Sequence, residues 1–203
     1  MRATLDLETA RGRGRAVVHP AVDPVGLILL LHGAGTDTSA APFPQLADAL
    51  AGAGLTAVRF DQPYRVAGRR APDAARFLDV ALLDALPAIR AAAPNLPLGI
   101  VGRSSGARVA CRIAAGSGAR AIVALGFPWR PPGIPAKPDR GAELRLGGRT
   151  CPVLVVQGER DPFGRPTRIR GVRTRVVPGM AHTPSARAAL GTVGWLVRTV
   201  HGS

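Results

Sequence analysis

One lysine, Lys137, stands among the 203 residues, so nearly all of the formal net charge of +14 is arginine. Aromatic residues make up only 4%, and they do not interleave with the arginines as the stacking platform of a single-strand binder does. No recognised nucleic-acid motif is present. The Ala-, Gly-, Arg- and Pro-rich composition reads as the coding bias of a GC-rich genome, so nucleic acid is not expected as a partner despite the charge. That charge is denser at Arg11/Arg13/Arg15, at Arg69/Arg70 and at Arg165/Arg168/Arg170/Arg173/Arg175, and its functional reading is attraction of anions. The two cysteines, Cys111 and Cys151, are too few for a disulfide framework. Both fall in elements expected to be buried, which suits a reducing interior and a cytoplasmic location. CxxC and HxxxH spacings are missing, so neither a metal nor a cofactor is expected. No apolar run reaches the roughly 18 residues of a membrane span, and no basic segment followed by an apolar one opens the chain, so neither a membrane partner nor a signal peptide is expected. Oligomeric state is left open.

The chain does have length and a core. Its 203 residues suffice for one domain, 46% of them are hydrophobic, and the strand-like runs are rich in Val, Ile and Leu. Its most informative segment is Gly102-Arg103-Ser104-Ser105-Gly106. An apolar run at 98–101 precedes it and a helical-looking run at 107–113 follows. A G-x-S-x-G at a strand-to-helix turn lifts a serine hydroxyl out of a sheet, toward a base and toward donors for an oxyanion. The glycine spacing favours Ser104 over Ser105, whose Oγ is expected to point away.

Such an elbow calls for an acid and then a histidine, in that chain order. The buried-strand pattern at 151–158 ends in Glu159-Arg160-Asp161-Pro162-Phe163-Gly164, and a short β-branched strand at 173–177 ends in Pro178-Gly179-Met180-Ala181-His182. In open α/β sheets, chemistry gathers at the carboxyl ends of strands. Ser104 is therefore read as nucleophile, His182 as general base and acid, and Asp161 as the group that orients the imidazole. The backbone N–H of Ser105 is read as one oxyanion donor. The second is assigned to Ala34, in the small-residue loop His32-Gly33-Ala34-Gly35 after the apolar run 25–31. Gly33 and Gly35 let the backbone approach substrate closely. Trp129 is read either as a pocket wall or as a packing anchor. Among the rivals, His201 and His19 are expected at the surface, and His32 is expected to brace its loop. Asp139 and Glu159 are expected to face water.

Elsewhere the pattern predicts two opening strands (3–8 and 16–19), a helix over 44–53 and a strand over 55–60 followed by a loop at 61–65. A helix over 74–93 carries the stripe Leu78, Leu82, Ala85 and Ile89, and Pro87 is expected to kink it. A strand over 121–126 leads to an irregular connection over 127–149, with prolines at Pro128, Pro131, Pro132, Pro135 and Pro138. One last helix over 184–200 is expected to bury Ala186, Leu190, Val193, Val197 and Val200. The alternation of strand and helix implies a mostly parallel, doubly wound sheet covered on both faces, a single α/β domain over 1–203.

Taken together, the HGAG loop, Arg59-Phe60-Asp61-Gln62-Pro63-Tyr64, the elbow, Leu125-Gly126-Phe127-Pro128, Gln157-Gly158-Glu159-Arg160-Asp161-Pro162-Phe163-Gly164 and Gly179-Met180-Ala181-His182 resemble the α/β-hydrolase superfamily. More narrowly they resemble its small capless, dienelactone-hydrolase-like group, which includes a testis-expressed protein and a subunit of the NSL acetyltransferase complex. The resemblance implies about eight strands with the second antiparallel, no cap domain and a hydrolase triad. Asp61, where relatives often carry Asn, would put a carboxylate near the pocket mouth. Ala107 replaces a frequent glycine beside the elbow. The expected function is a serine hydrolase, carboxylesterase- or thioesterase-like, that cleaves small acyl esters through an acyl-enzyme. The alternative is a non-catalytic interaction protein that keeps the fold.

Overall fold

The strand-like runs join one eight-stranded sheet in a computed structural model that describes residues 2–133 and 138–202. Pro135 and Lys137 lie outside the described residues. The opening hairpin pairs β1 (Ala3–Thr9) with β2 (Gly12–His19) in antiparallel register. The other strands are β3 (Gly26–Leu31), β4 (Leu55–Asp61), β5 (Leu98–Arg103), β6 (Ala119–Leu125), β7 (Val153–Gly158) and β8 (Val172–Val177). Their order is β1-β2-β4-β3-β5-β6-β7-β8, and every pairing from β4 to β8 is parallel. The sheet is thus mostly parallel, with β2 antiparallel to both its neighbours. Parallel strands end on a common rim, and that rim receives the loops that follow β3, β5, β7 and β8.

The near-continuous apolar strands are explained by burial on both faces. In β3, Leu27, Leu29 and Leu31 face one cluster while Ile28 and Leu30 face the other. The first cluster is closed by α3 (Ala75–Ala91), α4 (Ser105–Ser117) and α5 (Gly141–Thr150), and the second by α1 (Phe43–Gly52), α6 (Ala186–Leu190) and α7 (Val193–His201). Each fully buried leucine contributes about 1.5–3 kcal/mol. The predicted stripe of α3 is buried as read, and its helix continues through Pro87. Cys111 and Cys151 are free and buried. Burial raises both thiols, Cys151 to about 11.

Three expectations fail for identifiable reasons. The connection over 127–149 is not irregular throughout, because α5 occupies its second half. Glu143 on that helix accepts from Arg108 at 2.7 and 2.8 Å and from Arg112 at 3.0 Å, both on α4. Burial alone would raise the Glu143 carboxyl, but the bonds and charges of the two arginines outweigh it and hold it low. The final helix is broken at Gly191 and Thr192, so the stripe shifts: Ala188, Ala189, Leu196 and Val200 are buried while Ala186 and Leu190 are exposed. The loop at 61–65 also disappears, since Asp61 ends β4 and a short helix α2 (Pro63–Val66) begins.

His19 is a fourth correction. It is 2% exposed rather than a surface residue. Its Nδ1 lies 2.8 Å from an Asp48 oxygen and its Nε2 accepts from Arg59 Nε at 3.0 Å. The following proline pointed to a loop, but His19 still pairs with Ala57 at the end of β2.

Candidate active site

Ser104 stands between β5 and α4 with φ 49° and ψ −111°, a left-handed, sparsely populated conformation that costs about 1–3 kcal/mol. Packing around the turn enforces it. A Cβ on Gly102 would run into the backbone of Gly106 and Ala107, and one on Gly106 would run into the Leu31 and His32 carbonyls. The two glycines of the motif therefore let α4 press against β5 and β3. Ala107 is fully buried and accommodated in the same contact. Ser104 N–H also donates to the Leu125 carbonyl at 3.0 Å, which ties the turn to the neighbouring strand.

The three loops predicted to meet do meet. His182 Nε2 lies 2.9 Å from Ser104 Oγ, and His182 Nδ1 lies 2.9 Å from Asp161 Oδ2. The Asp161 side chain is fully buried and that of His182 is 20% exposed, so the ring shields the acid from water. Asp161 Oδ1 accepts the Phe163 N–H at 2.9 Å, and Oδ2 accepts Gln157 Nε2 at 2.7 Å. With donors converging on that carboxylate, the His182 Nδ1–H also donates to it, and Nε2 is left to accept from the serine hydroxyl. The Phe163 ring packs on the imidazole at 4.3 Å between centroids.

The acid loop and the histidine loop are laced together. Arg160 N–H donates to the Met180 carbonyl and Gly179 N–H to Glu159 Oε2. The Arg160 guanidinium bonds the Gly179 carbonyl at 2.6 and 3.0 Å. Glu159 is exposed, as expected, and is occupied in this lacing; Asp139 is half-buried and caps the approach to α5 by accepting the Gly141 N–H at 3.0 Å. Gly126, at φ +59°, and Gly158 take the backbone of the histidine loop at close range. A Cβ on Gly126 would stand 2.5 Å from the His182 carbonyl, and one on Gly158 would overlap the Met180 and Ala181 carbonyls.

The HGAG loop lies against the elbow, with a Cβ position on Gly33 3.4 Å from Ser104 Cβ. Gly35 has φ +72°. His32 is buried and holds the loop from within. Its Nδ1 lies 2.8 Å from the Gly33 carbonyl, and its Nε2 accepts the Gln62 N–H at 3.1 Å. Burial holds this imidazole below its ordinary value, against the Gly33 hydrogen bond. Thr36 Oγ1 also donates to the Gly33 carbonyl. In a planar trans peptide the Ala34 N–H is turned opposite to that carbonyl. Ser105 is the first residue of α4, so its N–H has no partner within the helix; its side chain lines a small cavity beside His32, Gln62 and Tyr64.

Trp129 is 4% exposed and packs beside Gly141 and Gly164, which makes it an anchor of the connection. Asp61 is engaged by the Thr38 N–H at 2.7 Å, in a separate concavity it shares with Arg59 and Arg65. His201 is exposed.

Gln157 is the residue at the candidate site that the sequence reading did not single out. Its Nε2 donates to Asp161 Oδ2, to the Phe127 carbonyl at 3.1 Å and to the Gly164 carbonyl at 2.8 Å. The available signal was a polar side chain at the end of a fully buried strand, which must find partners.

A parallel sheet with a strained serine elbow, followed in the chain by an acid and a histidine on successive rim loops, defines the α/β-hydrolase class. The chain belongs to that family: the model of the alpha/beta hydrolase domain matches residues 24–183. Among solved structures it is similar to an α/β serine hydrolase without lid from Xanthomonas campestris, at 20% identity over 97% of this chain and 94% of that one, with a TM-score of 0.71. It is also similar to a dienelactone hydrolase from Anabaena variabilis, at 16% identity over 98% of each chain and a TM-score of 0.74. A thermostable carboxyl esterase from Bacillus coagulans shares 12% identity over 98% of this chain and 99% of that one, with a TM-score of 0.73. At these identities the likeness establishes the fold. No curated protein matches the chain.

Proposed function

We propose that the protein is a serine hydrolase that cleaves small acyl esters or thioesters through an acyl-enzyme. The observation that carries this reading is the pair of 2.9 Å contacts that join Ser104, His182 and Asp161. Ser104 Oγ attacks the acyl carbonyl while His182 Nε2 takes its proton, and Asp161 stabilises the imidazolium that forms. The tetrahedral oxyanion is received by the N–H groups of Ser105 and Ala34; loss of one such donor typically costs about 10²–10³ in turnover. The imidazolium returns the proton to the departing alkoxide or thiolate. Water then attacks the acyl carbon as His182 takes its proton; the bond from that carbon to Ser104 Oγ breaks, His182 returns the proton to Oγ, and the acid leaves.

No separate cap domain is present among the described residues, and in this reading the acyl group is held chiefly by the HGAG loop, by Gly33 and Gly35 above all. This supports short, undemanding substrates. The Arg-Phe-x-x-Pro-Tyr and Gln-Gly-x-Arg-Asp-Pro-Phe-Gly segments support a finer placement, beside the testis-expressed and NSL-subunit group.

A fluorophosphonate probe should label the native protein and leave Ser104→Ala unlabelled. Labelling that survives in Ser104→Ala refutes the assignment of the nucleophile. Absence of labelling and of p-nitrophenyl ester hydrolysis in the native protein refutes the enzymatic reading.

A further inference from the structure

The charge of the chain is not evenly spread. Residues 145–203 carry ten arginines and two acids, and both acids, Glu159 and Asp161, are occupied at the active rim. Four of the arginines surround a concavity of about 730 Å³, with Arg145 and Arg149 on α5 and Arg168 and Arg170 in the segment that leads into β8. No acidic side chain lines it. Among the described residues none of the four has a carboxylate partner, whereas Arg2, Arg13, Arg15, Arg65, Arg69, Arg108, Arg112 and Arg130 all do.

The two walls of this cleft are fixed to one another. A Cβ on Gly148 would stand 2.7 Å from the Arg170 carbonyl, and one on Gly171, at φ +77°, would overlap the Gly148 backbone. Val153 N–H donates to the Gly171 carbonyl at 2.9 Å, which ties the same turn to β7. The glycine-on-glycine contact therefore sets the spacing of Arg149 and Arg170, each one residue away from it. The result is a frame with a cationic group on each side and little side chain on its floor.

We infer that this cleft is a binding site for a compact ligand bearing several phosphate groups. Guanidinium forks meet phosphate oxygens in pairs, and four unpartnered ones around a single cavity suit two or more adjacent phosphates. The volume lies in the range of small-molecule sites, about 300–1,000 Å³. No aromatic side chain lines the cleft, so it lacks the stacking platform that a nucleic-acid strand uses. The site is distinct from the reactive rim. It lies at the amino ends of β7 and β8, while Asp161 and His182 follow their carboxyl ends. Six-residue strands set the two ends roughly 20 Å apart.

The test is calorimetric titration of the whole protein with inorganic tripolyphosphate at near-physiological salt. Saturable binding is expected, weakened about tenfold or more in Arg168→Ser/Arg170→Ser and again in Arg145→Ser/Arg149→Ser. Arg13→Ser/Arg15→Ser removes as much charge elsewhere and should leave the affinity unchanged. Circular dichroism and the urea midpoint report on the fold of each variant, and neither they nor the titration depends on the fate of the hydrolase reading. Equal affinity in the cleft variants overturns the inference, as does equal weakening in the Arg13/Arg15 control, which would reduce the effect to net charge. Tighter binding to phosphoinositide vesicles or to single-stranded RNA than to tripolyphosphate also overturns it, by assigning the surface to a membrane or a polymer.

Discussion

The serine and its two partners reach the same point by overlapping but unequal means. The elbow is held by close backbone packing: Gly102 and Gly106 bring α4 against β5 and β3, and no side-chain hydrogen bond fixes Ser104 apart from the one to His182. The acid and histidine loops share such contacts at Gly126 and Gly158 and add a polar lacing that the elbow lacks, through Gln157, Glu159, Arg160 and the Phe163 N–H. A contact between backbones has no slack, because any added atom displaces a strand or a helix. A hydrogen-bonded loop loses its geometry one partner at a time. Substitutions at the elbow glycines should therefore act on stability, and those that remove a lacing side chain should act on turnover.

Asp161→Asn gives the largest expected effect. It keeps the shape and donates where the carboxylate accepted, so kcat for a p-nitrophenyl ester should fall about 10⁴-fold with the urea midpoint little moved. Gly106→Ala tests the other side of the contrast. Its methyl group meets the Leu31 and His32 carbonyls, and the cost is expected near 3 kcal/mol in urea unfolding. An alanine there that left stability intact would dissolve the distinction. Gln157→Leu should be milder: kcat lower by roughly tenfold with KM unchanged, since one charge-assisted bond to Asp161 is lost and the substrate surface is untouched.

The smallest effect concerns the loop that abuts the elbow. Burial depresses His32 below its ordinary value of 6.5, so at mildly acid pH the unfolded chain binds more protons than the folded one. Stability then rises with pH through that window and is lost as pH falls below about 6.5. His32→Gln should flatten part of this slope, read as the urea midpoint between pH 5 and 7.5, with the rest left to His19, which burial also depresses.

What could be read in advance follows the same division. The elbow was legible because sterics dictate its letters: only glycine fits at 102 and 106, and the flanking periodicities change from strand to helix. The order of acid and histidine was legible because each closes an apolar strand. Helix α5 was hidden by the prolines before it and by Gly147 and Gly148 within it, since its fixation comes from Glu143 meeting arginines of another helix. The break at Gly191 escaped because a continuous apolar stripe could be drawn across it. Trp129 could be assigned to a wall or an anchor, and only packing against Gly141 and Gly164 distinguishes them.

Between β5, which delivers the nucleophile, and β7, which delivers the acid, stands β6. No contiguous fragment shorter than the span from Ser104 to His182 can hold the relay, and within that span the middle strand must be seated before its flanks come into range. Covalent labelling of the serine during renaturation would therefore act as a clock for the final assembly of the sheet, silent through every earlier stage of collapse.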